Sequence, residues 1–297
     1  MSDALTLLEN QFTFRIPTHP ILKEHSIRDI EDKFESSFFD SLRDDYGQTD
    51  FNNWLKKCSI NNRKCYTLIV KNCLEAILIY NIEKIEDHQL PEIYSKALKI
   101  CTLKVNNNAF GIKLGELFLN KMFELCINRK IQYLYLTVYE KQVQLIHLLA
   151  KFGFYKNVFK NKQGVSEIRM IKCLSKEKIG TIDNEIVTHP FYNDDKNHSK
   201  YAIPIRPDFY GTLFKDGKFR QPTLFDNTLD SINEIQGNTI IKAYISNSKI
   251  KKLKKGDILF FYSSKTNKAI EPIGILETVQ IITNFEDLWK LVNKKTV

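Results

Sequence analysis

Between Leu98 and Gly115 the sequence reads LKICTLKVNNNAFGIKLG, and its residue types suit the holding of an anion. A β-forming run ends at Leu103 and Val105, and Gly111 and Gly115 then open a stretch with helical spacing. The first N–H groups of a helix lack partners in the chain and carry the positive end of its dipole. Phosphate-like groups therefore bind there, and glycine lets them approach the backbone. Gly111, Ile112, Lys113, Leu114 and Gly115 would supply such a site, with Lys113 able to reach a phosphate. Groups suited to proton exchange lie further on, Tyr139, Glu140 and His147, with Glu75 upstream as another carboxylate. In the C-terminal part, Lys249, Lys251, Lys252, Lys254 and Lys255 form a dense cationic run, joined by Lys242, Lys265 and Lys268. Lysines of this kind neutralise phosphates without reading sequence, whereas Tyr244 and Tyr262 suit stacking on an exposed base and Asn238 and Ser263 suit bonding to its edge. The six cysteines form no C-x-x-C pair and fall on apolar stretches, so buried thiols are expected and no metal site is.

The elements that must position these residues follow from periodicity. Phe12 to Ile16 alternates as a first strand before Pro17 and Pro20. Helices are expected from Ser26 to Leu42 and around Phe51 to Cys58, the latter with Asp50 as N-cap. Cys65 to Val70 and Leu74 to Ile82 read as a hairpin turning at Lys71, Asn72 and Cys73, and Ala97 to Val105 as a further strand. From Gly111 to Ile127, Leu114, Leu117, Phe118, Met122 and Leu125 fall on one helix face. Ile131 to Val138 is a strand. Lys141 to Lys151 is a helix directing Val143, Ile146, Leu149 and Ala150 inward and closed by Gly153, and Phe154 to Phe159 with Val165 to Cys173 form a last hairpin. In the remainder, Tyr201 to Ile205, Thr239 to Ile245, Asp257 to Tyr262 and Ile270 to Thr283 read as strands and Glu286 to Asn293 as a closing helix. The expected organisation is one domain over residues 1–175, a Lys- and Glu-rich linker over 176–188 and a strand-dominated domain over 189–297.

With both motifs in view, the chain resembles the GNAT family of N-acetyltransferases. Leu98 to Gly115 is similar to its cofactor segment, a strand ending in L-x-V followed by R/Q-x-x-G-x-G/A. IQYLYLTVYEKQVQLIHLLAKFGFYK, Ile131 to Lys156, is similar to its later strand, helix and L-G-F segment, with Phe152, Gly153 and Phe154 in the last place. The resemblance implies a central mixed sheet flanked by helices, in the mixed α/β class, and acetyl-coenzyme A as co-substrate, with no metal. The pantetheine arm would lie along the strand ending at Leu103 and Val105, and the pyrophosphate at Gly111 to Gly115. The chain departs from the pattern at three places. Asn108 stands for Arg or Gln, Lys113 for a small residue, and Leu149 for the tyrosine that often protonates the departing thiolate. Tyr139 and His147 are the candidate substitutes, and Glu75 or Glu140 the candidate base. YAIPIRPDFYGTLF, GNTIIKAYIS and KKLKKGDILFFYSS resemble the PUA-like group of small barrels, including EVE and ASCH domains, which implies an RNA or modified-base partner. Together these imply acetylation of an amine on an RNA-associated acceptor, such as an aminoacyl-tRNA. That would allow a toxin role with an antitoxin partner. The same departures support an alternative, a non-catalytic RNA- or modified-base-binding protein whose first domain is structural or senses the coenzyme.

The totals agree with a folded chain of this kind. The 297 residues are 43% hydrophobic and 27% charged, which suits two globular domains and excludes a disordered or fibrous chain. A formal net charge of +9 favours polyanionic partners. No apolar run reaches membrane-spanning length and the first ten residues lack the pattern of a secretory signal, so a cytoplasmic protein without membrane association is expected.

Overall fold

A computed structural model describes residues 22–84, 96–106, 113–160, 166–176, 185–206, 210, 213–214, 239–246, 252–263 and 270–292. They fall into two compact units, of which the first spans Pro20–Phe191 and the second contains the described residues from Tyr192 onward.

The first unit is built on a seven-stranded sheet in the order β1-β2-β3-β4-β5-β7-β6. Its strands are β1 Lys23–Ser26, β2 Lys64–Val70, β3 Cys73–Glu83, β4 Ala97–Val105, β5 Tyr133–Val138, β6 Tyr155–Lys160 and β7 Ser166–Cys173. All neighbours are antiparallel except β4 and β5. Parallel strands cannot be joined by a hairpin, and the crossover between these two is a 15-residue helix, Leu114–Asn128. The helices are α1 Asp40–Tyr46, α2 Gln48–Ile60, α3 Leu114–Asn128 and α4 Val143–Lys151. The mixed α/β class and the helix-flanked sheet are thus as the sequence implies.

On one face, Phe34, Phe38, Phe39, Phe51 and Leu55 bury against Cys65, Ile77 and Ile79 of the sheet. The expected β2–β3 hairpin turns at Lys71 and Asn72, whose φ values of +46° and +66° are the pair that a tight two-residue hairpin turn demands. In α3, Leu114, Leu117, Phe118 and Met122 are buried as expected.

Several expectations fail for local reasons. The strand expected at Phe12 to Ile16 lies outside the described residues. The helix expected from Ser26 to Leu42 is broken into 3-10 stretches at Ile27–Lys33 and Ser37–Phe39 before α1. Ser26 and Asp29 form a capping box on the first stretch. The Arg43 guanidinium donates to the carbonyls of Phe34 and Ser36, acceptors that a continuous helix would have used. Asp50 is not the N-cap of α2. Gly47 stands there with φ +85°, and Asp50 lies in the first turn. On α4, Leu149 is fully buried, but Val143 is 51% exposed and Ala150 is exposed too. Ile146 is half-buried as expected, and Leu145 and Leu148 are half-buried with it, so the inward face is Leu145, Ile146, Leu148 and Leu149. Gly153 does follow α4 with φ +79°. A Cβ there would also lie 2.3 Å from the carbonyl oxygen of Val187, because Glu185–Thr188 forms a helical turn docked on this corner.

In the second unit β8 Lys200–Ile205 runs parallel to β9 Ile258–Ser263, and β10 Ile270–Ile275 pairs antiparallel with β9. Ile203, Ile205, Tyr210, Leu213 and Phe261 form its core, and α5 Phe285–Val292 follows. Among the described residues this sheet is open, and no closed barrel is found. The strand expected over Thr239 to Ile245 is irregular. Its β-formers pack without strand pairing, with Tyr244 set edge-on against Phe261 at 5.9 Å, and β propensity alone does not supply a partner strand. The last strand ends at Ile275, and its register shifts around Pro272, which has no N–H to donate to a ladder. The Lys-Gly-Asp turn has a structural cause. Asp257, 3% exposed, accepts from the backbone N–H groups of Lys254 at 2.7 Å and Ser199 at 3.0 Å. Among the described residues no helix is long and apolar enough to cross a membrane.

Candidate functional site

β4 carries the site because of one extra residue. Tyr80 of β3 pairs with Ile100 but Ile79 pairs with Thr102, which leaves Cys101 as a bulge that bends the strand. On its other side β4 pairs with β5 only from Ala97 with Tyr133 to Ile100 with Leu136. Past the bulge, Thr102 to Val105 keep β3 on one edge, and no described strand lies along the other. A slot of about four residues, roughly 13 Å, thus opens in the middle of the sheet. Its backbone amides are suited to an extended ligand with amide groups of its own, in the manner of an added strand. Leu103 and Val105 lie on this segment, half-buried. The end of β4 is fastened by Asn106, whose N–H donates to the Glu75 carbonyl at 2.8 Å and whose amide donates to the Glu75 carboxylate at 3.0 Å.

The chain then leads to the N-terminus of α3. Asn108, Gly111 and Ile112 lie outside the described residues. Lys113 is the N-cap residue, at φ +59°, and exposed. Leu114 is 2% exposed, so its side chain serves the core and only its backbone faces the helix end. The ideal Cβ of a residue at Gly115 would lie 3.0 Å from Leu148 Cδ2, which makes this glycine a contact between α3 and α4. Glu116, 5% exposed, sits in the first turn and is paired with Lys151 at 3.6 Å.

Tyr139 directly follows β5, so it stands where β4 and β5 have parted. Its ring lies 5.4 Å from Tyr46 of α1, its N–H donates to Gln142 Oε1 at 3.3 Å, and the Lys141 ammonium is 5.8 Å from the ring centre. Glu140 is next to it and exposed, whereas His147 is exposed on α4, away from that helix's inward line. Tyr139 and Glu140 thus follow the open end of β5 in the chain, and His147 lies exposed on α4.

Sequence reading missed α1 as a wall of this place. Asp45 pairs with Lys141, whose ammonium is held above the usual lysine range first by that hydrogen bond. Lys104, on the open segment of β4, donates to Ser41 Oγ and lies 5.4 Å from the Phe38 ring. Burial lowers its pKa, and Asp45, Asp40 and Asp44 oppose the shift. Strand alternation marks Lys104 as facing opposite to Leu103 and Val105, but no local signal links it to α1.

In the second unit Lys252, Lys254 and Lys255 are exposed on the turn before β9. Lys242 instead donates to the Thr239 carbonyl at 2.9 Å. Tyr244 is 40% exposed, Tyr262 is half-buried, and Ser263 ends β9. Asn238 and Lys265 lie outside the described residues. Among the described residues no group of three or more His, Cys, Asp or Glu could hold a metal ion.

No family model matches the chain, and no curated protein matches it. Solved structures similar to it include a GNAT-family acetyltransferase from Streptococcus agalactiae, 16% identical over 52% of this chain and 96% of that one with a TM-score of 0.39. Ard1 from Thermoplasma volcanium is 15% identical over 52% of this chain and 97% of its own, with a TM-score of 0.38. A GNAT-family acetyltransferase from Elizabethkingia anophelis, solved with acetyl-CoA bound, is 13% identical over 41% of this chain and 82% of its own, with a TM-score of 0.33.

Proposed function

We propose that the first unit binds acetyl-coenzyme A and transfers its acetyl group to an amine. The observation that carries this reading is the bulge at Cys101 and the parting of β4 from β5 after Ile100, which sets a slot for an amide-bearing arm between the start of α3 and Tyr139. The residues present fit the coenzyme. The strand amides of Thr102 to Val105 suit pantetheine, and the N-terminus of α3 with the exposed Lys113 suits the phosphates. The bound coenzyme supplies a thioester open to attack by an amine. The chain's own part is to align that arm, to offer strand amides toward the carbonyl oxygen, and to move protons. Tyr139 is the proposed acid for the leaving sulfur and Glu140 the proposed base for the attacking ammonium.

Calorimetric titration and thermal unfolding test it. Acetyl-coenzyme A at about 100 times its dissociation constant should add roughly 2.7 kcal/mol of stability. Lys113→Glu, at an exposed position, should weaken binding about tenfold without changing the stability of the free protein, since reversing a charge at a phosphate contact costs on the order of 1.4 kcal/mol. Absence of binding at millimolar coenzyme would sink the reading. Binding without turnover in any acceptor screen would favour a coenzyme sensor.

The exposed Lys252, Lys254 and Lys255 and, elsewhere in the same unit, the exposed Tyr244 support a polyanion-binding role for the second unit, with RNA as the proposed partner. An RNA-borne acceptor such as aminoacyl-tRNA, in a toxin setting, is the first substrate to screen. RNA affinity that does not fall with rising salt would count against this role.

A further inference from the structure

Side chains tie α1 to both banks of the parting between β4 and β5. From the β4 side the Lys104 ammonium donates to Ser41 Oγ, near the start of the helix. From the β5 side Lys141 pairs with Asp45, and the Tyr139 ring lies 5.4 Å from that of Tyr46, both at the helix end. The slot that begins at Thr102 therefore has one lysine on each bank, and the two differ in what holds them. Lys141 is exposed, and the hydrogen bond from its ammonium to the Asp45 carboxylate raises its pKa, so it stays a cation without a lone pair to offer. Lys104 is half-buried. Among the described residues its hydrogen-bond partner is a neutral hydroxyl, and the centre of the Phe38 ring is 5.4 Å from its ammonium. Of the α1 carboxylates, Asp45 is taken by Lys141 and Asp40 by Arg43 at 2.7 Å, while Asp44 is exposed. Their charges oppose the effect of burial on Lys104, but burial is the larger cause and its pKa is lowered. A lysine partly withdrawn from water gives up its proton more readily, and the neutral amine is a nucleophile.

Lys104 also stands close to the reacting end. It lies two residues along β4 from Thr102, about 7 Å at strand spacing, a span that a lysine side chain covers. We propose that Lys104 is an acetylation site of the protein itself: with acetyl-coenzyme A in the slot and no acceptor present, its amine takes the acetyl group. The inference rests on the acyl-transfer reading and adds a modification site to it. The Lys104 ammonium first gives a proton to water. The nitrogen lone pair then attacks the thioester carbonyl carbon, a C–N bond forms, and the C–S bond breaks with its electron pair leaving on sulfur. A proton from the nitrogen ends on that sulfur. The products are Nε-acetyl-lysine and coenzyme A with a free thiol, and no other reagent is required. The amide is uncharged, so the modification removes the cation that Asp40, Asp44 and Asp45 face on the β4 bank.

The test incubates the full chain with isotope-labelled acetyl-coenzyme A, whose binding is measured in parallel by calorimetry, and follows acetylation at each lysine by peptide mass spectrometry. Lys104 should be labelled on the order of a hundredfold faster than Lys141 or the exposed Lys252, since a held thioester meets it at high effective concentration. Its rate constant should saturate with the coenzyme and stay the same at any protein concentration. S-acetyl-N-acetylcysteamine, a thioester without the phosphates, should show no such preference. Lys104→Arg should remove the fast phase and leave labelling of the other two lysines as it was. On the free protein, competitive labelling with acetic anhydride should find Lys104 titrating below Lys141. Bound coenzyme without preferential label on Lys104, the same preference with the short thioester, a rate constant that climbs with protein concentration, or the reverse order of the two lysines would each overturn the proposal. Failure of the coenzyme to bind in the calorimeter would strike the acyl-transfer reading together with it.

Discussion

Lys172 and His189 show how much a single buried polar group can decide. The Lys172 ammonium, on a residue 2% exposed, donates to the carbonyls of Phe152 at 2.5 Å and Val187 at 2.8 Å and lies 5.4 Å from the Phe123 ring. It therefore fastens residues 185–188 to the corner after α4. Lys172→Met keeps the stem but leaves both carbonyls without that donor, and we expect a loss of about 2–4 kcal/mol, read as a lower urea midpoint. Beside it, the His189 ring packs against Phe123 at 5.4 Å and Phe152 at 6.5 Å. Burial, then the Lys172 charge, pushes its pKa down to about 4 from 6.5. Because the folded value is the lower one, the unfolded chain takes up a proton first as pH falls. The folded state is then progressively disfavoured between about pH 6.5 and 4, by up to roughly 3 kcal/mol, and no further below that. Unfolding midpoints of the protein and of His189→Phe at pH 7.5 and 4.5 should converge or cross if this holds. A constant difference between them would refute it. Neither residue was singled out from sequence, because a lysine in a strand and a Thr-His-Pro triplet carry no mark of what they will be packed against.

At the scale of elements, the hairpin β2–β3 is where local sequence governs. Lys71 and Asn72 both take positive φ, and the second position of such a turn favours glycine. Asn72→Gly is expected to raise stability by some tenths of a kcal/mol and Asn72→Val to lower it by more than about 1, since a β-branched side chain resists φ near +66°. Chemical denaturation resolves both. The split of the expected Ser26 to Leu42 helix lies at the opposite extreme. Buried Ile27, Ile30, Phe34, Phe38 and Phe39 look like an apolar helical stripe in the sequence. The break is fixed by Arg43, a residue nine positions beyond Phe34, reaching back for its carbonyl. The bulge at Cys101 is equally silent, because the alternation of ICTLKV reads as an unbroken strand until β3 imposes its register.

For the whole molecule, two compact units, each with its own buried cluster, should unfold as separate transitions in scanning calorimetry. Acetyl-coenzyme A should raise only the transition belonging to Pro20–Phe191. A shift of both transitions by the same amount would mean that the units unfold as one. The sequence by itself determined the mixed α/β class, the order of most strands and helices in the first unit, and the strand-then-glycine segment that leads into α3. These are written in residue periodicity and turn chemistry, which act between near neighbours. Only the tertiary structure decided that β4 parts from β5, that α1 and Tyr46 stand beside Tyr139, that His147 is exposed on α4, and that Lys99 and Arg169 flank the Tyr135 ring. Those facts depend on register and packing between strands far apart in the chain, where a one-residue bulge changes which side chains meet and no local pattern records it.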